Sequence, residues 1–379
     1  MKGTGASTHL EVPYVDLASM HAPIKQQLLD GVSRVLDRAD FDMGTEVTAF
    51  EERFAGLVGT RYAVAVHSGT DALELTLRAI GLRDGDEVIT APNSPMTTAS
   101  AIVMAGAVPV FADVGADYNI DPLCVEAVVT PRTRAIVPVH RTGRPAEMDA
   151  IGSLAAERGL LVVEVAAEAV FARYRGKAVG GLGNVGCFSL DPLMPLGACG
   201  DGSVITTNDE VLVTRLRVLR NNGHSSSHEA AFWRGSSRLD TLQAAMLLVK
   251  LDYALNWTEQ RRRNAAFLQE ALSALPAIQL PRDREWEYAV YHTFVVQADN
   301  RDDLRAYLEK RGIGTATPFP IPIHLQRVAA PLGYRIGDFP NAEEQAKRAL
   351  SLPVHPNLTE DQLRYIVEAI RTFVRNGDM

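Results

Sequence analysis

Between Tyr62 and Thr207 the chain alternates short apolar runs with amphipathic stretches. The apolar runs Tyr62–His67, Glu87–Ala91, Val108–Val114, Ala135–His140, Leu160–Val165, Val185–Leu190 and Ser203–Thr207 are each four to seven residues long, the length of a strand rather than a helix. Between them, helical spacing is predicted over Asp71–Gly81, Thr97–Ala105 and Pro145–Gly159, with Pro145 near a first turn. Leu160–Val165 is a near-continuous apolar run, broken only by Glu164, of the kind a buried parallel strand shows. Strands and helices alternating at this length predict an α/β fold with a mostly parallel sheet covered by helices on both faces.

Outside this block the period is helical. An amphipathic helix is predicted over residues 14–40 on Ile24, Leu28, Leu29, Val32, Val35 and Leu36, and a second over 45–58 on Phe50 and Phe54. From Leu239 to Leu275 the pattern is again helical, with a break expected near Asn256–Trp257. Beyond it come a strand over Tyr288–Gln297, a helix over Arg301–Arg311, a Pro-rich loop at Thr315–Pro322, and helices over Asn341–Leu350 and Thr359–Arg375. The last opens on Thr-Glu-Asp-Gln, a capping box. The expected organisation is a large domain over 1–250, with its N-terminal helical segment, and a small α+β domain over 251–379.

Composition narrows the class without naming a function. The 379 residues are 46% hydrophobic and 22% charged, ample for a buried core. No run of eighteen apolar residues could span a bilayer, and Met1–Val12 lacks the apolar centre of a signal peptide; a cytoplasmic protein away from membranes is expected. The net charge of −8 argues against nucleic acid. Cys124, Cys187 and Cys199 are too scattered for a disulfide framework or a zinc site, and no metal site is expected. Cys199, with no base assignable to it, reads as structural.

The stretch Gly183–Ser203 carries the chemistry. A strand breaks at Leu190 into a loop punctuated by Pro192, Pro195 and Gly197, which exposes side chains where α/β folds bind ligands. Its CFSLDPLMPLGACGDGS resembles the lysine-bearing loop of the DegT/StrS sugar aminotransferases, which use pyridoxal phosphate (PLP). The resemblance runs from Val12 to Arg375 through HSGTDALELTLRA, APNSPMTTASAIVMAGAVPVFADV, GRPAEMDAI, SSRLDTLQAAMLLVKL, RRRNAAF, RGIGT, PIHLQ and LSLPVHPNLTEDQ. It implies a PLP-transferase-like large domain, a smaller C-terminal domain, and a homodimer with shared pockets. It also implies a small-molecule intermediate from sugar or secondary metabolism as substrate.

The same resemblance places Met194 where the family has its Schiff-base lysine, and a thioether cannot replace an amine. Lys2, Lys25, Lys177, Lys250, Lys310 and Lys347 are the only lysines, and none is an obvious substitute. Val165 takes the place of the aspartate that pairs with the pyridine nitrogen, and a pyridinium against valine would be an unpaired buried charge. Glu168 stands for the glutamine at the ring hydroxyl, Val170 for a histidine, Pro95 for a stacking aromatic, Ser236 for an asparagine sent to the phosphate of a neighbouring subunit, and Asn222 for a histidine. Gly69, Thr70 and Ser189 match the phosphate cradle, although Ser68–Asp71 reads equally well as a simple N-cap.

These replacements predict that PLP is no longer bound and that no cofactor takes its place. The expected outcome is a repurposed, PLP-independent enzyme performing cyclisation, dehydration, isomerisation or hydrolysis. Glu168, Asp191 and His140 are its candidate acid–base residues, and Pro95, Val165, Met194 and His324 line its substrate pocket. Desolvation would push either carboxylate toward neutrality, whereas Asp191 capping its own loop and Glu168 in a salt bridge are the plainer readings. His140, His292 and His324 match family histidines and read equally as framework. Two alternatives stand beside this expectation: a non-catalytic partner of an active paralogue, and an aminotransferase or dehydratase that holds PLP or its amine form, pyridoxamine phosphate (PMP), noncovalently.

Overall fold

The computed structural model describes residues 10–226, 229–231, 233 and 235–377. Lys2 and most of the segment read for a signal peptide lie outside the described residues. The main sheet has seven strands, β1 (Tyr62–Val66), β2 (Glu87–Thr90), β3 (Val108–Phe111), β4 (Thr133–Ile136), β5 (Leu161–Val165), β6 (Val185–Ser189) and β7 (Ser203–Thr207). Their spatial order is β1-β7-β6-β5-β4-β2-β3. Only β7 runs against the rest; it pairs Val66 with Ser203 on one side and Ser189 with Ser203 on the other. The reversal puts the start of β7 beside the ends of β1 and β6, at the edge of the sheet where parallel strands deliver their loops.

The sheet is apolar on both faces because helices cover both, as the continuous apolar runs require. One face packs Val64, Val66, Val163, Val185 and Ile205 against helices Gly69–Ala79 and Glu210–Arg220. The other packs Ala63, Ala65, Phe188 and Val204 against Phe50 and Phe54 of helix Thr45–Val58. A second core gathers Phe294, Val296, Leu304, Leu350, Leu352, Ile366, Ile370 and Phe373 around the antiparallel pair Phe294–Gln297 and Ala349–Leu352.

Helix Thr241–Leu272 ties the two cores together. Its 32 residues run without the break expected at Asn256–Trp257 and pass through residue 250 unbroken. Ala244, Leu247 and Trp257 enter the first core, and Ala265, Leu268 and Leu272 the second. Local chemistry accounts for the other departures from the sequence pattern. Pro23 has no N–H to donate, so the predicted 14–40 helix becomes Leu17–His21, a 3-10 turn and Lys25–Arg38. The predicted strand Tyr288–Gln297 is interrupted at Tyr291, held at φ 50°, so that only Phe294–Gln297 joins the second sheet. The predicted helix Asn341–Leu350 ends at Arg348, and Leu350 becomes a strand residue.

The C-terminal helix Glu360–Arg375 starts on the capping box read from the sequence: Thr359 Oγ1 accepts from the Gln362 N–H at 3.2 Å, and Gln362 Oε1 accepts from the Thr359 N–H at 3.0 Å. Thr359→Ala is expected to lower stability by about 1 kcal/mol, measured by urea unfolding with an unchanged m-value.

Candidate active site

A cavity of about 290 Å3 opens at the carboxyl ends of β1, β5 and β6 and the start of β7. Gly69 and Thr70 come from the turn after β1, Pro95 from the loop after β2, Val165 and Glu168 from the end of β5, and Ser189, Asp191 and Met194 from the end of β6. The sequence reading therefore placed eight residues of this wall together, spread over more than 120 positions of chain.

One end of the cavity is built for an anion. Ser68 is the N-cap of helix Gly69–Ala79; its Oγ accepts from the Asp71 N–H at 3.2 Å and its carbonyl from the Ala72 N–H at 2.9 Å. The Gly69 and Thr70 N–H groups have no acceptor among the described residues. Two such donors at a helix N-terminus attract negative charge. Residue 69 must be glycine here, since a Cβ would meet Ser189 Cβ at 2.9 Å and Oγ at 3.1 Å. The N-cap and the cradle are one structure.

Met194 lines the same cavity from the loop after β6, which is held by backbone and lysine hydrogen bonds. The Met194 N–H donates to the Asp191 carbonyl (2.9 Å) and the Ala198 N–H to the Leu190 carbonyl (2.7 Å). Lys250, buried on helix Thr241–Leu272, donates to the carbonyls of Gly197 (2.8 Å) and Ala198 (3.3 Å). Burial pulls its amine below the usual lysine value, but that amine holds the back of the loop and does not enter the cavity. None of the five described lysines lines it.

The carboxylates divide by environment. Glu168 is buried and paired with the guanidinium of buried Arg141, which lies over the Phe319 ring at 3.8 Å; its second oxygen accepts from the Thr142 N–H at 2.6 Å. The salt-bridged reading of Glu168 therefore describes it. Arg141 escaped the sequence reading, because nothing local in HRTGRP pairs it with a residue 27 positions away. Asp191 is half-buried; Oδ1 accepts from the Leu193 N–H at 2.9 Å, as the loop-capping reading has it, while Oδ2 has no hydrogen bond among the described residues. Asp201, also missed, reaches the rim with Oδ2 3.9 Å from His67 Nε2.

Two expected site histidines stand elsewhere. His140 is fully buried away from the cavity, with Nε2 2.9 Å from Glu164 Oε2 and Nδ1 accepting from the Ala146 N–H at 3.0 Å. Both ring nitrogens are spent on framework, so the geometry corrects its placement as an acid–base residue. His324 is likewise not a wall residue; its Nε2 lies 3.1 Å from Glu343 Oε1 and its ring packs against Phe339. Of the other family positions, Val170 is core, while Asn222 and Ser236 lie outside this cavity, Ser236 bridging Asn221.

The arrangement has close parallels. Residues 23–371 match the DegT/DnrJ/EryC1/StrS aminotransferase family, and the chain belongs to it. A Streptomyces venezuelae protein named dTDP-3-amino-3,4,6-trideoxy-alpha-D-glucose transaminase is 39% identical over 368 residues, 97% of each chain. The solved structure of S. venezuelae DesV in complex with a ketimine intermediate superposes with a TM-score of 0.93 at 40% identity, covering 96% of this chain and 98% of the other. NtdA from Bacillus subtilis, solved with bound cofactor PMP, gives a TM-score of 0.91 at 27% identity, covering 96% and 85%.

These relatives overturn the expectation that the cofactor has been given up, since the pocket's parallels are a named transaminase and structures containing PMP or a ketimine. The residues present fit part of such a cofactor. The orphaned N–H groups of Gly69 and Thr70, with the Ser189 hydroxyl, suit its phosphate. Pro95 and Val165 offer apolar surface to a ring. A covalent tether does not fit, because Met194 has no amine and Lys250 faces away.

His292 lines a small neighbouring cavity with Leu193 and Arg261. Burial depresses its basicity to about 4, outweighing the opposing pull of Glu168. An imidazole harder to protonate when folded stabilises the fold above its unfolded value of 6.5, and that contribution is lost as pH falls toward 4. The expected result is a fall in unfolding free energy, on the order of 3 kcal/mol from this group, between pH 6.5 and 4. His292→Gln should flatten that slope in denaturant melts, and the wild-type ring should show neutral-imidazole NMR shifts throughout pH 5.5–8.

Proposed function

We propose that this chain works on a sugar-derived or secondary-metabolite intermediate as an aminotransferase or dehydratase, holding PLP or PMP without a covalent bond to the protein. One observation carries the reading: one end of the cavity keeps two N–H donors with no acceptor among the described residues and a glycine packed too closely against Ser189 for a Cβ. The family membership and the relatives' names support the chemistry class.

Such a cofactor, when bound, supplies an exchangeable amine or aldehyde and a ring that draws off electron density. The chain's own residues do the rest. Gly69, Thr70 and Ser189 fix the phosphate, while Pro95, Val165 and Met194 exclude water from the ring. Arg141 neutralises Glu168, so that carboxylate can accept a hydrogen bond without presenting an unpaired charge. Asp191, whose Oδ2 is unengaged among the described residues, is the group placed to hold or pass on a proton where other members use lysine. With no tether, the cofactor should exchange freely with solution.

Titration with PMP and with PLP, followed by absorbance, is expected to show saturable binding. Borohydride treatment of the PLP complex should leave no cofactor mass on the protein. Gly69→Val should weaken binding tenfold or more. Asp191→Asn should keep PMP affinity and lower turnover about 100-fold. Failure of both cofactor forms to bind sinks the reading.

A further inference from the structure

Cys199 reads from the sequence as a thiol without a base, and the folded chain brings two basic side chains to it. The loop that carries Asp191 and Met194 is clamped to helix Thr241–Leu272 by Gln243 and Lys250, which lie about two turns apart on that helix. Gln243 Oε1 accepts from the Cys199 N–H at 2.8 Å, and the Lys250 amine donates to the carbonyls of Gly197 and Ala198 at 2.8 and 3.3 Å. The Cys199 side chain is exposed, and its thiol lies beside the same Lys250 amine, which is buried. His21 stands within electrostatic reach of that amine, with its Nε2 buried and without a hydrogen bond.

A thiol, an amine and an imidazole therefore gather behind the cavity loop, outside the cavity itself. Burial pulls the Lys250 amine below the usual lysine range, which raises the share of amine with a free lone pair. Burial also lowers the His21 imidazole, so it adds less positive charge beside the lysine. The other two thiols are placed differently. Cys187 is buried, and burial pushes its thiol up to about 12; burial and the carboxylates of Asp121 and Asp113 push Cys124 up as well. Both hold less of the thiolate that reacts with oxidants. Cys199 is the exposed thiol with an amine at its side.

We propose that Cys199 and Lys250 form an oxidative modification site, joined by a reversible sulfur–nitrogen cross-link when the protein meets hydrogen peroxide. In the first step the Cys199 sulfur attacks one peroxide oxygen and the O–O bond breaks. The departing hydroxide takes the thiol proton and leaves as water, so sulfur is oxidised to the sulfenic acid and peroxide is reduced. In the second step the neutral Lys250 amine attacks that sulfur and the S–O bond breaks. The departing hydroxide takes one amine proton, which leaves a sulfenamide and a second water with no further change of oxidation state. The clamp at Gln243 and Lys250 holds the reacting groups side by side, which favours the second step over further oxidation by peroxide. The cross-link removes the charge and N–H donors with which Lys250 grips Gly197 and Ala198, so it loosens the loop that bears Asp191 and Met194. A reducing thiol reverses it by attacking the sulfur and returning a proton to the amine. The inference does not depend on the cofactor reading.

The test is peptide mapping by mass spectrometry of the full chain after hydrogen peroxide, without and with dithiothreitol. The expected product joins the Cys199 and Lys250 peptides, is lighter by one hydrogen from each partner, and disappears on reduction. Cys199 should be consumed roughly tenfold faster than Cys124 or Cys187. Cys199→Ser should lose the cross-link entirely. Lys250→Gln should lose it too, while Cys199 is captured by dimedone as the sulfenic acid. Should Lys250→Gln not fold, Lys250→Arg keeps a cation in the clamp and is expected to give the same dimedone adduct without a cross-link. Wild-type protein whose Cys199 passes to the sulfinic acid with no cross-link, or whose Cys124 reacts first, would overturn the proposal. A bridge between the two residues that retains an oxygen would overturn the sulfur–nitrogen assignment. No cofactor takes part in the assay, so its outcome leaves the cofactor reading to the PMP titration.

Discussion

The gap between Gly69 and Ser189 is too narrow for a methyl group, and the site is arranged around it. Two chain segments 120 residues apart meet there because β7 runs antiparallel between β1 and β6, fixing the end of each strand against the start of one shared neighbour. That pairing aims a helix N-terminus at the end of β6. The Gly69 and Thr70 N–H groups there have no acceptor among the described residues. Any side chain at residue 69 would force the segments apart and close the anion end at once.

Elsewhere in and behind the cavity wall, charge is neutralised. Glu168 is balanced by Arg141 and a backbone N–H, and Lys250 is spent on two loop carbonyls. Met194 brings a thioether to the cavity, and none of the described lysines lines it. A cavity with an intact anion end and no amine can retain a phosphate ester but cannot tether it. Loss of the lysine was read from the sequence as loss of the cofactor, and the relatives correct that step. Binding a phosphate and tethering a cofactor need different groups, so a cavity lined by no amine is not thereby closed to a phosphate ester.

Much of the fold was legible because its signals are local. The buried strands are short apolar runs, the C-terminal helix announces its capping box, and β7 and helix Thr45–Val58 have the bounds their patterns predict. The misreadings were also local in cause. A proline without an N–H broke the first helix, and a left-handed Tyr291 divided a predicted strand. Helix Thr241–Leu272 stayed continuous through Asn256–Trp257 because Trp257 is buried against the first core, and tertiary packing outweighs weak local propensity.

The sequence by itself determined the layered α/β architecture, the family, and half of the cavity wall, since each follows from apolar period or from motif residues set at strand ends. Tertiary structure alone decided which polar groups have partners. His140 and His324 look like site residues in sequence and prove to be framework because Glu164 and Glu343 reach them from other elements. Nothing in sequence sets Arg141 apart from other arginines, yet it meets the Glu168 carboxylate 27 positions away. An ion pair forms across a few ångströms of space, and only the folded chain sets that distance.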